Sequence, residues 1–458
     1  MKKNLLVMPI EIKVREFIHK LFLSFHVLAN TNFRVIIGGQ RFITNKINIQ
    51  NSLWLDKNTY SADRKKSPVH LANNKIIMMD EEGPISFFDK VNLKERYSED
   101  IKHQVDYFIF NGINDIKKIN KKFLFNKKYF IMGNPKYDII KDNCKKTHSK
   151  HINLIKQKYK NFLFVTGHFA LSQLEPSYLK QSLKRTGNYT LNNFRSKIKV
   201  IEKTRKNYLS LIDLTKNIAI QNKELTVIFR RHPSENDKNT KVLFGKIPNN
   251  LKVIYKYPVT PWLFSCRYHL HSGCQTSLES AVLKKNIITY MQSHSDSSFL
   301  NYKSFSPFFS EKKKCLSFFK NINNQNNNLF KYNKLSRIIV NIKKNIFFYK
   351  EFIRFIKSEF NDLNSSYVYR KNYKNSFLKK ITLDILSNIK NIIIQYEFFR
   401  NLLPYNILIS KQTKLTKFSS LQKSEILHYL KIFSKIYNYK IRFVVKKISL
   451  NVFEISRK

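Results

Sequence analysis

Two arginines and a histidine crowd the end of one apolar run, in the stretch ELTVIFRRHPSEN. Leu225, Val227, Ile228 and Phe229 read as a buried strand, and Pro233 cannot donate to a ladder, so the strand stops near His232. In a parallel α/β sheet that edge is where ligands bind, and Arg230, Arg231 and His232 are the groups to hold an anion there. A solvated basic turn is the alternative. Further along, HSGCQTSLESAVLKK ends a strand at His271 and Ser272, lets Gly273 make a tight turn, and starts a helix at Ser277. Strand, small polar loop and helix N-terminus together present N–H groups and hydroxyls to a phosphate. Thr276 and Ser277 are the candidate phosphate contacts, and Glu279 could accept from ribose hydroxyls; equally, these residues could simply cap the helix. The loop has neither a GxGxxG pattern nor a P-loop lysine, so it gains meaning mainly from sharing a sheet edge with the basic strand end.

The elements that must position these residues alternate. NLLVMPI, FRVIIGG, KIIMMDEEG, VDYFIFNG and YFIMGNPKYD read as short apolar strands, and Val14, Phe17, Ile18, Leu21, Phe22, Phe25 and Leu28 recur at helical spacing after the first. A second alternating block holds NFLFVTG, a long helix through KTRKNYLSLIDLTKNIAIQN, then ELTVIFRRHP, LKVIYK, YHLHSG and NIITYM. In the last of its connections Thr260 suits an N-cap, Pro261 the first helical position of a short helix through Cys266, and Asn286 the cap that ends the next one. The expected architecture is α/β: two Rossmann-like domains, 1–150 and 151–310, facing a cleft, with a mostly helical extension over 311–458. That extension includes the low-complexity NINNQNNNLF near its start and closes on SEILHYLKIFSKIY and a terminal hairpin.

The chain carries a net charge of +53, with 42% hydrophobic and 14% aromatic residues. It can bury two cores and is not a disordered polyelectrolyte. Abundant Lys, Asn, Ile, Phe and Tyr fit compositional drift, and the functional readings of the charge are an anionic membrane surface or nucleic acid. The lysines are spread along the chain without a basic arm or a nucleic-acid signature, so a membrane surface is preferred. Cys144, Cys266, Cys274 and Cys315 show no zinc-ligand spacing, there is no Asp-x-Asp pair, and no run is long enough to span a membrane. A reduced, cytoplasmic protein without a bound metal is expected, peripheral on the inner face of the membrane if the charge serves docking.

RRHPSEN, VTPWLF and HSGCQTSLESAVLKKNIITY, with GNPKYDII before them and LLVMPIEIKVREFIHKLFLSFHVLANTNFRVIIGGQR at the start, resemble the surface carbohydrate biosynthesis protein family, which is similar to GT-B glycosyltransferases. KFSSLQKSEILHYL extends the resemblance toward the end of the chain. Where that family has Arg-Pro-His-Pro, this chain has Arg230-Arg231-His232-Pro233, which leaves open which arginine faces a ligand. The order Glu81-Glu82-Gly83, His232-Pro233, Thr276-Ser277 is also similar to bacterial CMP-sugar sialyl and Kdo transferases of GT-B architecture. That likeness implies a general base among Asp80, Glu81 and Glu82, and a phosphate contact at His232. A solvated acidic turn is the alternative for the three carboxylates. Glu11, after the first strand, either touches acceptor or caps the following helix.

The resemblance implies a glycosyltransferase of surface polysaccharide synthesis, taking a nucleotide-activated sugar as substrate and a glycan or lipid-linked glycan as acceptor, with no tightly bound cofactor. A sugar-nucleotide epimerase and a polyol-phosphate transferase are the enzyme alternatives, and a basic nucleic-acid-binding or scaffold protein is the alternative outside enzymes.

Overall fold

In the computed structural model the described residues are 4–57, 73–81, 104–119, 128–141, 144–167, 169, 172, 175–185, 189–232, 235, 237–292, 302–320, 335–360, 363, 365–369, 418 and 420–458. The expected low-complexity linker and part of the expected helical extension over 311–458 lie outside them. In chain order the strands are β1 (Leu5–Ile10), β2 (Arg34–Gly39), β3 (Ile47–Gln50), β4 (Leu53–Asp56), β5 (Lys75–Met79), β6 (Tyr107–Phe110) and β7 (Lys128–Ile131). There follow β8 (Phe162–Gly167), β9 (Thr226–Arg230), β10 (Leu251–Ile254), β11 (Tyr268–Ser272), β12 (Asn286–Tyr290) and β13 (Phe308–Phe309). The last three are β14 (Ser366–Tyr369), β15 (Phe443–Ser449) and β16 (Val452–Arg457). The helices used below are α1 (Lys13–Asn30), α2 (Pro135–Lys141), α3 (Pro176–Arg185), α4 (Leu191–Gln221), α5 (Val259–Ser265), α6 (Thr276–Val282), α7 (Phe348–Glu359) and α8 (Lys423–Tyr437).

One sheet has eight strands in the order β15-β16-β2-β1-β4-β5-β6-β7, and the other has six in the order β10-β9-β8-β11-β12-β13. Contacts divide the chain into two compact units, residues 1–79, 100–108 and 352–458, and residues 80–99 and 109–351. The units interleave the chain because segments distant in sequence pack together.

In the first unit β1 is buried at every position and pairs in parallel with β2 and β4. β4 lies between β1 and β5, yet its four residues LWLD are too short for their pattern to show in sequence, and β3 is as short. The expected terminal hairpin is present as β15 and β16, and it adds to the sheet through antiparallel pairing of β16 with β2. The apolar face predicted for α1 packs on α8, where Phe22 and Phe25 meet Phe433 and Tyr437 edge-on or tilted.

The second unit is built on the six-stranded sheet, whose strands all run parallel. Alternation sends Leu163, Val165, Val227, Phe229 and Leu270 to one face, under Leu211, Leu214 and Ile218 of α4. Phe162, Phe164 and Ile228 go to the other, under Trp262 and Leu263 of α5. Trp262 stacks on Phe164 with centroids 5.9 Å apart and planes at 2°. α5 starts earlier than expected, at Val259 after Pro258, so Thr260 lies inside it and caps nothing. Asn286 opens β12; the turn that ends α6 is made instead by Lys284 at a φ of 54°.

A second-unit asparagine joins two segments far apart in sequence. Asn341 accepts from the Asn134 N–H at 3.0 Å and donates both to the Asn134 carbonyl at 2.8 Å and to the Asp138 carboxylate at 2.7 Å. Gly133, at a φ of 87°, is required here, since a Cβ would lie 1.9 Å from Asn341 Oδ1. Burial pushes the Asp138 carboxyl up to about 7. Replacing Asn341 with alanine strips buried groups of their partners, and is expected to lower unfolding stability by about 2–4 kcal/mol, read as a shift in the denaturant midpoint. A midpoint within error of the native protein would show that water replaces the amide at no cost.

Candidate functional site

Two histidine networks set the rigidity of β11. His269 Nε2 bonds Thr166 Oγ1 at 2.8 Å and Nδ1 bonds Ser280 Oγ at 2.6 Å, so this histidine is a packed strand residue. His271 Nε2 bonds Thr289 Oγ1 at 2.8 Å, which in turn meets Ser306 Oγ. Burial lowers both imidazoles, His269 to about 3, so both are neutral at physiological pH. β11 is thereby held to β8 and β12, and its next residues leave the sheet in a fixed direction. Ser272 is buried at the strand end, and Gly273 turns the chain at a φ of 66°; a Cβ there would meet Met291 Cε at 2.9 Å.

The turn delivers Gln275 and α6. The helix begins at Thr276, one residue before the expected start. The N–H groups of Ser277 and Leu278 already bond the carbonyls of Cys274 and Gln275, and Ser277 Oγ donates to Cys274 O at 2.8 Å. Ser277 Oγ thereby closes the turn that opens α6, and the residue is buried. Thr276 is half-buried at the head of α6. Glu279, one turn in, is buried; its carboxylate pairs with Lys136 Nζ from α2 and accepts from Thr260 Oγ1 at 3.4 Å. Lys136 was not singled out in the sequence, where only its place after GNP marks it.

At the end of β9 the question of two arginines resolves into two different tasks. Arg230 is buried, donates to Tyr257 O at 3.0 Å and lies over the Tyr255 ring. Arg231 lies over the same ring and donates to Glu235 O at 2.7 Å and His232 O at 3.4 Å, shaping the loop. Glu235 accepts from the Phe169 N–H and from Tyr208 Oη, and burial raises its carboxyl to about 7. His232 is half-buried beside it.

Of the carboxylates expected to act as base, Asp80 and Glu81 follow β5 directly and are not solvated. Asp80 and Glu81 are buried; Glu82 lies outside the described residues. Asp80 O accepts from Asn111 Nδ2 at 3.1 Å, and Glu81 O accepts from Gln275 Nε2 at 2.7 Å. The second bond belongs entirely to the second unit and brings the acidic strand end against the loop that opens α6. Behind it stands Asp115, which sequence reasoning missed. Its carboxylate accepts from the Asn111 N–H at 2.9 Å, and burial, with the Asp80 charge adding, raises it to about 7. Glu11 falls elsewhere, in the first unit. It caps nothing: Glu16, not Glu11, accepts the Glu11 N–H at 2.8 Å, and the Glu11 carboxylate pairs with Lys57 at 2.8 Å.

Around Glu279 and the end of β11 lie buried polar atoms that bond to nothing among the described residues: Ser272 Oγ, Tyr137 Oη, Tyr302 Oη and Arg230 Nε. Tyr137 feels the charge of Glu279 and lies near Tyr302, and Tyr302 lies near Cys274; burial raises both phenols well above their ordinary value. Nothing in the residue types marks these tyrosines in the sequence. Unpaired buried hydroxyls are costly, so such a group collected at one strand end is what a polar ligand would satisfy. Among the described residues no cluster of His, Cys, Asp or Glu could hold a metal ion, and no described helix is long and apolar enough to cross a membrane.

Comparison of the sequence with protein families and with curated proteins finds no match. Solved structures are similar at the level of the backbone. A candidate UDP-N-acetylglucosamine 2-epimerase from Listeria monocytogenes is 9% identical over 79% of this chain and 98% of its own, with a TM-score of 0.50. The UDP-GlcNAc 2-epimerase from Neisseria meningitidis bound to UDP-GlcNAc is 11% identical, over 78% of this chain and 100% of its own, at a TM-score of 0.47. The wall teichoic acid polymerase TagF is 10% identical, over 78% and 89%, also at 0.47. At these identities the likeness concerns the fold alone, and the Listeria structure carries it: two largely parallel sheets in a GT-B-like α/β fold, as the sequence motifs led one to expect.

Proposed function

We propose that this chain is a GT-B-like glycosyltransferase that transfers a sugar from a nucleotide-activated donor to a glycan acceptor in surface polysaccharide synthesis. The observation that carries the reading is the bond from Gln275 to the Glu81 carbonyl, which sets a carboxylate-bearing strand end beside the α6 loop. In this reading the donor's phosphates and sugar satisfy Ser272, Thr276, Tyr137 and Tyr302, and Glu279 accepts from ribose hydroxyls. Arg230 and His232 supply positive charge and a hydrogen bond where negative charge builds on the leaving phosphate. Glu81 takes the proton of the acceptor hydroxyl as its oxygen bonds the anomeric carbon and the bond from that carbon to phosphate breaks.

The rival on the same fold is a nucleotide-sugar epimerase, which needs no acceptor. Incubation with a panel of UDP-, CMP- and GDP-sugars separates the two. Epimerised nucleotide sugar formed without acceptor would replace the transferase reading, whereas acceptor-dependent release of free nucleotide supports it.

Two substitutions test the parts. Glu81→Gln keeps shape but removes the proton acceptor, so transfer is expected to slow by roughly 10²- to 10⁴-fold with nucleotide affinity unchanged. Full activity in that variant, with Asp80→Asn inactive, would move the base by one residue. Ser272→Ala removes a hydroxyl that has no partner among the described residues, so the melting temperature is expected to hold or rise. Its nucleotide affinity by titration calorimetry is expected to fall by about 1.5–3 kcal/mol, the worth of a hydrogen bond to a charged group. Loss of stability with affinity intact would make Ser272 a structural residue and place the donor elsewhere.

A further inference from the structure

The chain leaves the carboxyl edge of the six-stranded sheet after β8, where Gly167 pairs with Ser272, and builds a helical hairpin before returning as β9. The hairpin is α3 and the first half of α4, held by its own small core of Leu179, Leu183 and Ile201 with Tyr189, Phe194 and Ile198 against it. Thr190 Oγ1 caps α4 by accepting the Asn193 N–H at 3.1 Å, and Arg205 Nε ties α4 to Ser172 O at 3.0 Å.

The face of α4 turned from this core is cationic. Arg195, Lys199, Lys203 and Lys206 recur at intervals of four, four and three residues, which places them in one stripe along about 16 Å of helix. Arg195, Lys199 and Lys206 are exposed and Lys203 is half-buried, and among the described residues none of the four is ion-paired. Glu202 is the acid on this half of the helix, at the margin of the stripe. Leu191 and Val200 flank the stripe on either side and are 54% and 49% exposed. Such apolar residues gain nothing from a phosphodiester backbone or a soluble polyanion, but they do enter the headgroup layer of a bilayer beside lysines that attract its charge.

We infer that the cationic stripe of α4 is the surface by which this protein docks on an anionic phospholipid bilayer. The inference does not depend on the donor reading, because docking is measured without nucleotide. It puts the docking segment in the chain directly after β8, whose Gly167 pairs with Ser272, and it makes the docking local instead of a property of net charge.

The test is co-sedimentation at physiological salt with phosphatidylcholine vesicles, with and without phosphatidylglycerol. The stripe variant Lys199→Glu, Lys203→Glu, Lys206→Glu is compared with a control, Lys223→Glu, Lys246→Glu, Lys252→Glu, which makes the same charge change at exposed lysines of the same unit. Native protein is expected on anionic vesicles alone. Partitioning should fall by about 100-fold in the stripe variant, given an attraction of roughly fivefold per basic residue near the surface, and by much less in the control. Equal losses in both variants, or native binding to neutral vesicles, would overturn the inference. So would a stripe variant that loses binding to single-stranded DNA while keeping its vesicles. Should the Glu variant fail to melt as native protein does, the Lys→Gln version at the same three sites is read in its place.

Discussion

The candidate site depends on one buried ion pair. Glu279 lies on a two-turn helix and Lys136 on another, more than a hundred residues apart in sequence, and both are nearly excluded from water. A carboxylate so placed is tolerable only with its cation, and removing either partner leaves a lone buried charge at a cost of about 3–5 kcal/mol. The pair therefore fixes α2 against α6, and with α2 it fixes the Gly133-Asn134 turn that Asn341 clasps. Arg230 lies within reach of the same negative charge, so the end of β9 is tied electrostatically to the same point. Geometry at the strand ends is thus set by charge satisfaction, while the apolar sheet beneath supplies the platform.

How much of this was legible in the sequence differs by kind of information. Strands such as LLVMPI and FLFVTG declare themselves because a parallel strand buried on both faces needs an unbroken apolar run. LWLD does not, for four residues carry too little pattern, although β4 is central in its sheet. The residues at the ends of β5, β9 and β11 could be named because motif and strand end coincide. What each does there could not. Arg230 and Arg231 are chemically identical in sequence and differ only by which one the Tyr255 and Tyr257 loop encloses. Ser277 was nameable as a candidate phosphate contact, but not the turn that its hydroxyl closes. Tyr137 and Tyr302 look like core aromatics, and their interest lies in hydroxyls that find no partner among the described residues, a property of placement and not of type.

Part of the excess of basic residues is used inside the fold. With 84 Lys and Arg against 31 Asp and Glu, carboxylates are scarce, and lysines bond backbone carbonyls instead. Lys20 reaches Pro9 O, Lys216 reaches Phe244 O, Lys141 reaches the carbonyls of Asn341 and Lys343, and Lys285 reaches those of Phe264 and Cys266 at the end of α5. A cation at a helix C-terminus meets carbonyls left without an intrahelical partner and the negative end of the helix dipole. These lysines are accommodated at those carbonyls, whereas the α4 stripe is a local concentration without ion pairs among the described residues.

The pairing of β16 with β2 joins residues more than four hundred positions apart. Until β16 is made, β2 is an open edge: a row of N–H and C=O groups on the apolar RVIIGG, waiting beside a nearly finished sheet. At ordinary rates of synthesis that wait lasts tens of seconds, far longer than a hairpin takes to form once its residues exist. The exposure of that edge thus depends on how fast the chain is made, so folding yield should respond to translation speed more than final stability does.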